Sequence, residues 1–165
     1  MELVRFEPRV QALGEALRAR RWRLATAESC TGGLVAAACT AVAGSSDWFE
    51  RGWVSYSNEA KSSLLGVPEA LFAQHGAVSE PVALAMANGA LRAAPVQLAV
   101  AVTGIAGPGG AVPGKPVGTV WLAWAAADGP AVARCHRFDG DRAAVRMQAV
   151  QAALDGLLAL AEGRS

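Results

Sequence analysis

Apolar residues at Val10, Leu13 and Leu17 are separated by charged ones, a spacing that predicts an amphipathic helix over about residues 9–21. The pattern then switches to the alternation of "WRLATA", a strand that ends at Glu28. "GGLVAAACTAVA" is apolar almost all round and predicts a buried helix starting directly after Ser29, Cys30 and Thr31. "RGWVSYS" reads as a second strand that Tyr56 ends, with Asn58 as N-cap of a short helix through Leu65. "PEALFAQHG" gives another short helix closed by Gly76, and Ser79-Glu80-Pro81 opens a longer one to about Ala94.

"VQLAVAV" is a continuous apolar run, as expected of a strand covered on both faces. It enters "TGIAGPGGAVPGKP", a glycine- and proline-rich loop of a length that usually signals function in a compact domain. "VGTVWLAWAA" and "VARCHRF" are two further strands joined at the turn signal "DGP". A last helix follows, capped by Asp139 or Asp141, with Val145, Ala149, Ala153, Leu154, Leu157 and Leu158 on its apolar face. Strands alternating with helices, some strands paired as hairpins, predict a three-layer α/β/α sandwich with a mixed β-sheet. No repeat or linker divides residues 1–165, so one domain is expected.

Composition narrows the partners. Hydrophobic residues make up 53% of the 165 residues, charged residues 18%, and the net charge is +1, the profile of a globular chain. "RARRWR" is the only basic cluster, and a solvated helix face accounts for it, so nucleic acid is not an expected partner. The apolar runs are too short to span a bilayer, and the N-terminus lacks the layout of a signal peptide; the expected setting is the cytoplasm, with no membrane. Three cysteines without a C-x-x-C pair, and two distant histidines, give no disulfide framework and no zinc-type spacing. Trp48, Phe49 and Trp53 are apolar surface candidates that a homodimer interface would cover.

The chemistry concentrates in "AESCTGG", residues 27–33. Ser29 and Cys30 fall on a strand-to-helix turn, where free N–H groups favour an anion or oxyanion, and Gly32 and Gly33 allow close approach. The same residues read equally as an N-cap and a permissive turn. His75 and His136 are the customary bases for a serine, but neither has an acidic orienter near it in sequence. Of 15 basic residues only Lys61 and Lys115 are lysines. Arginine cannot serve where a side chain must lose a proton, which draws attention to those two. Tyr56, the single tyrosine, stands close to Lys61 in sequence and can relay a proton or pack at a strand end. Thr103 with Gly104, Gly107, Gly109 and Gly110 can form an anion nest. Arg142 and Arg146 share a face of the last helix, where they clamp a phosphate or face solvent.

Taken in order, "AESCTGG", "GSSDWFERGWVSYSNEAKSSLLGV", "QHGAVSEPVA", "TGIAGPGG" with "KPVGTV", and "FDGDRAAVR" resemble the CinA C-terminal domain family over about Leu13 to Leu158. The resemblance implies hydrolysis of the carboxamide of nicotinamide mononucleotide, giving nicotinate mononucleotide and ammonia in pyridine-nucleotide salvage, with no cofactor and no metal. It assigns the nucleophile to Ser29, its partner to Lys61, and further roles to Tyr56, Thr103 and Arg142. Some members carry this domain behind one similar to molybdopterin-binding proteins; no segment here matches it, so its activity is not expected.

On that reading neutral Lys61, its pKa lowered by burial beside Tyr56, takes the Ser29 proton. Backbone N–H groups at Thr31, Gly32 and Gly33 hold the oxyanion, and Thr103, Gly104, Gly107 and Arg142 bind the nucleotide. Cys30 is the rival nucleophile, and Glu28 is expected to hydrogen-bond the backbone of the turn. The alternative function is a non-catalytic nucleotide-binding module linked to competence or the DNA-damage response.

Overall fold

The computed structural model describes residues 2–164. Five strands form one sheet in the order β2-β1-β3-β4-β5: β1 (Leu24–Glu28), β2 (Phe49–Val54), β3 (Leu98–Gly104), β4 (Thr119–Ala126) and β5 (Val132–Arg137). β1 pairs parallel with β2 and β3, whereas β3, β4 and β5 pair antiparallel. The sheet is therefore mixed, with helices on both faces. α1 (Glu7–Arg20), α2 (Leu34–Thr40) and α6 (Arg142–Ala161) pack on one side. α3 (Asn58–Leu65), α4 (Glu69–His75) and α5 (Glu80–Ala93) form the other layer.

The strands sort residues by size across the sheet. Leu98, Val100 and Val102 of β3, with Val120, Leu122 and Trp124 of β4, face α1 and α6, while Ala99, Ala101, Ala123 and Ala125 face α5. "VQLAVAV" is thus a period-two alternation of large and small residues rather than a uniform run. The alanine face lets α5 approach closely through Ala83, Ala87 and Ala90. β1 obeys the same alternation but is buried throughout, because both faces are covered.

Several boundaries differ from expectation. The helix after the Ser29 turn begins only at Leu34, with Gly33 as N-cap at φ 101°, and buries Val35, Ala38 and Cys39 rather than all sides. Two consecutive glycines with positive φ, Gly32 and Gly33, delay helix entry because that backbone is not helical. The cap of α3 is Ser57, whose Oγ accepts from the Ala60 N–H at 3.0 Å, and Asn58 is the first helical residue. β2 stops at Val54, so Tyr56 follows the strand instead of ending it. Asp141 caps α6, accepting from Ala144 at 2.9 Å. Short 3₁₀ turns at Glu2–Phe6 and Ser45–Asp47 carry no periodic signal long enough to read. Of the apolar residues invoked for a homodimer, Trp48 is buried within the chain, and Phe49 and Trp53 pack partly buried against the cores. Among the described residues no helix is long and apolar enough to cross a membrane.

Candidate active site

The C-terminal ends of β1, β2 and β3 lie side by side, and the chain leaves the middle strand toward neighbours on opposite sides. That arrangement opens a crevice beyond the strand ends. A cavity of about 190 Å³ lies there, lined by Ser29, Tyr56, Lys61, Thr103, Gly104 and Arg142 together with Cys30, Asn58, Ala77, Val78 and Ala106.

Strand geometry sets which side chains enter it. Glu28 pairs with Val102, and the Ser29 N–H donates to the Val102 carbonyl at 3.0 Å, which sets Ser29 beside Thr103. Period-two alternation sends Glu28 toward α2 and the next residue, Ser29, toward the layer holding α3. Glu28 is buried, and its carboxylate accepts from the Thr31 hydroxyl (2.6 Å) and from the N–H groups of Val35 (2.9 Å) and Ala36 (3.0 Å). It caps α2 from across the turn, a task Gly33 cannot perform without a side chain. The Gly32 N–H closes the turn on the Ser29 carbonyl at 3.0 Å.

Lys61 comes from the first full turn of α3, which its cap at Ser57 starts three residues after β2. Its Nζ is 3.2 Å from Ser29 Oγ and donates to the Tyr56 carbonyl at 2.8 Å. The residue is only 2% exposed and Ser29 8%. Burial lowers the Lys61 pKa from its ordinary 10.5, with Cys30 acting weakly the other way. Among the described residues it forms no salt bridge. The Tyr56 ring does not supply that burial: it is 58% exposed, and its Oη accepts from Arg142 Nη2 at 3.4 Å. The main chain of Tyr56, not its phenol, touches the lysine.

Thr103 is buried and donates to the Ala77 carbonyl at 2.9 Å, which ties β3 to the segment before α5. Arg142 Nη1 donates to the Gly107 carbonyl at 2.8 Å, so this arginine spans the rim between the glycine loop and Tyr56. Thr31, Gly32, Gly33 and Gly107 lie outside the cavity lining; the Thr31 hydroxyl is committed to Glu28. Asn58, Ala77 and Val78 line the cavity with no advance signal in the chain, because only the packing of α3 and α5 brings them there. Burial pushes the Cys30 thiol up to about 11, which leaves almost no thiolate at neutral pH. His75 is exposed, and its carbonyl accepts from Lys115 at 2.6 Å. His136 stacks on Phe138 on β5; neither histidine lines the cavity.

The crevice of this α/β/α scaffold thus holds a buried hydroxyl 3.2 Å from a buried amine, the geometry that a serine and a general base would need. Residues 7–161 match the model of the CinA C-terminal domain, and the chain belongs to that family. It is 57% identical over 147 residues to the nicotinamide-nucleotide amidohydrolase PncC of Escherichia coli K12, covering 89% of each chain. It is 59% identical over 149 residues to the protein of that name from Pseudomonas putida, covering 90% of this chain and 92% of that one. The crystal structure of the competence/damage inducible protein CihA from Agrobacterium tumefaciens superposes with a TM-score of 0.91 at 44% identity, covering 94% of both chains.

Proposed function

We propose that this chain is a nicotinamide-nucleotide amidohydrolase that converts nicotinamide mononucleotide and water to nicotinate mononucleotide and ammonia, a pyridine-nucleotide salvage step. The observation that carries the reading is the 3.2 Å contact between Lys61 Nζ and Ser29 Oγ, both buried at the cavity. The identity to amidohydrolases over about nine-tenths of both chains supports the substrate.

In this mechanism neutral Lys61 takes the Ser29 proton while Oγ attacks the carboxamide carbon. The tetrahedral intermediate collapses as its C–N bond breaks, and Lys61 returns the proton to the departing ammonia. Water, deprotonated by Lys61, then cleaves the acyl-serine ester and regenerates the hydroxyl. Among the described residues the Cys30, Thr31 and Gly33 amides donate to no backbone carbonyl, which leaves them as candidate oxyanion donors beside Ser29. The Gly32 amide is already spent on the Ser29 carbonyl, so Gly32 serves by shaping the turn.

The cavity is smaller than the roughly 300 Å³ at which drug-sized ligand sites begin. The carboxamide-bearing ring therefore enters it beside Thr103 and Gly104, and the phosphate stays at the rim with Arg142 and Tyr56. Gly107 contributes through its carbonyl, which aims Arg142.

Ammonia release from nicotinamide mononucleotide by the purified protein, with Ser29→Ala run alongside, tests the proposal. Release by wild type and none by the variant is expected. Equal release by both would remove Ser29 as nucleophile, and binding without release by wild type would favour a nucleotide-binding module.

A further inference from the structure

The mechanism above uses Arg142 but not Arg146, one helical turn further along α6 and half-buried. Arg146 Nε donates to the Cys30 carbonyl at 3.0 Å and Nη2 to the Thr31 carbonyl at 3.3 Å. Among the described residues Arg146 pairs with no carboxylate, and it is not itself part of the cavity lining; it meets the cavity only through the main chain of Cys30. No backbone N–H of a described residue bonds the Cys30 carbonyl, so the guanidinium is its partner. The Thr31 carbonyl also accepts from Leu34 at 3.0 Å.

We propose that Arg146 is a positioning residue that holds the Cys30–Thr31 peptide and thereby sets the geometry of the Ser29 nucleophile. The inference rests on Ser29 being that nucleophile. On its upstream side Ser29 is anchored by its N–H on Val102. Downstream the chain has no strand and no helix until Leu34, and two of the intervening residues are glycines at positive φ. Such a segment is the most easily deformed part of the site. The forked guanidinium bonds two successive carbonyls from two nitrogens held in one rigid plane, a geometry that the single ammonium of a lysine lacks. Because C=O and N–H of a trans peptide point in opposite directions, holding the Cys30 carbonyl on α6 turns the Thr31 N–H away from α6. A Cβ at Gly32 would come within 3.3 Å of Arg146 Nη2, so the guanidinium lies directly against the turn. The two arginines of one helix face thus divide the work: Arg142 serves the rim and Arg146 the turn behind the nucleophile.

The test compares wild type, Arg146→Ala and Arg146→Lys in three assays: ammonia release from nicotinamide mononucleotide, the rate at which phenylmethanesulfonyl fluoride labels Ser29, read by mass spectrometry, and the melting temperature. Displacing a reacting atom by about 1 Å costs on the order of 10²-fold in rate. The expected result for Arg146→Ala is a kcat drop of that order with KM within about twofold and labelling slowed in parallel. Low-millimolar guanidinium is expected to restore part of both rates, and Arg146→Lys to recover part of the loss. A kcat within about threefold of wild type overturns the proposal, as does a rise in KM at unchanged kcat, which would make Arg146 a substrate contact. Unchanged labelling with a reduced kcat also overturns it. Should Arg146→Ala fail to fold, the kcat and labelling of Arg146→Lys decide by the same criteria. Should wild type release no ammonia, the functional reading fails while labelling still decides the positioning; wild type that neither turns over nor labels ends both.

Discussion

The two ends of the sheet each carry a cavity, and the larger one lacks the chemistry. Beside β4 and β5, a space of about 320 Å³ is lined by Trp124, Val132, Arg134, His136, Asp155 and Leu160 among others. It contains a histidine whose pKa is lowered by burial and by nearby Arg134, yet no serine, threonine, cysteine or lysine lines it. The space of about 190 Å³ beyond β1, β2 and β3 holds Ser29 against Lys61. Volume and a perturbed histidine do not by themselves mark a catalytic site; on the proposed mechanism the Ser29–Lys61 pair does. The difference follows from topology. Parallel strands bring three C-terminal ends and their following loops to one place, whereas an antiparallel hairpin carries its chain away at alternate ends.

Disabling the Ser29–Lys61 pair gives the largest expected effect. Ser29→Ala and Lys61→Arg should each lower kcat/KM for nicotinamide mononucleotide by about 10³-fold or more in ammonia-release assays. Cys30→Ala should stay within a few-fold of wild type, since the Lys61 amine lies within hydrogen-bond distance of Ser29 Oγ and makes no hydrogen bond to the Cys30 thiol. Inverting that order of sensitivity would move the nucleophile to Cys30.

The base also predicts a pH dependence of activity and of stability, both rising with pH. Only neutral Lys61 accepts the proton, so kcat/KM should rise with pH through a Lys61 pKa below the ordinary 10.5. In the unfolded chain the amine titrates at its ordinary value, so burying the ammonium costs stability below the folded pKa. That cost shrinks as pH rises and is gone above the unfolded value. Lys61→Met, inactive, should therefore melt higher than wild type at neutral pH, with the gap closing toward alkaline pH. A melting temperature that falls in Lys61→Met would mean the bonds to Tyr56 and Ser29 outweigh the desolvation.

Smaller effects test the supports of the site. A Cβ on Gly89 would overlap the Leu65 carbonyl, where α5 packs on the helix that carries Lys61. Gly89→Ala should cost about 1–3 kcal/mol in denaturant unfolding. Glu28→Gln keeps the shape but weakens the cap on α2, at about 1 kcal/mol with a lowered kcat. At the other cavity, His136→Ala should leave ammonia release within about twofold; a large loss there would erase the contrast between the two ends.

Much of this was legible in the chain. The helix from Val10 to Leu17, the strands around Ala27 and Val100, and the Gly76 stop are local consequences of periodicity and backbone preference. "AESCTGG" announced a turn rich in nucleophiles, and the scarcity of lysine directed attention to Lys61. The amino-acid order therefore determined the elements, the two faces of each strand, and which side chain types were available to react.

Only the tertiary structure decided their partners. Lys61 and Ser29 stand 32 positions apart, and the parallel pairing of β1 with β2 followed by the start of α3 brings them to 3.2 Å. Glu28 was expected to bond the backbone of the turn; its carboxylate instead takes the N–H groups of Val35 and Ala36 in α2, a shift that helix periodicity could not foresee. Nor could it foresee that the Tyr56 contact would be a carbonyl instead of a phenol, or that Arg146, more than a hundred residues away, would bond the turn. Hydrogen bonds at the ends of elements go to whatever donor or acceptor packing delivers, because buried polar groups must be satisfied and sequence distance imposes no constraint on which group satisfies them.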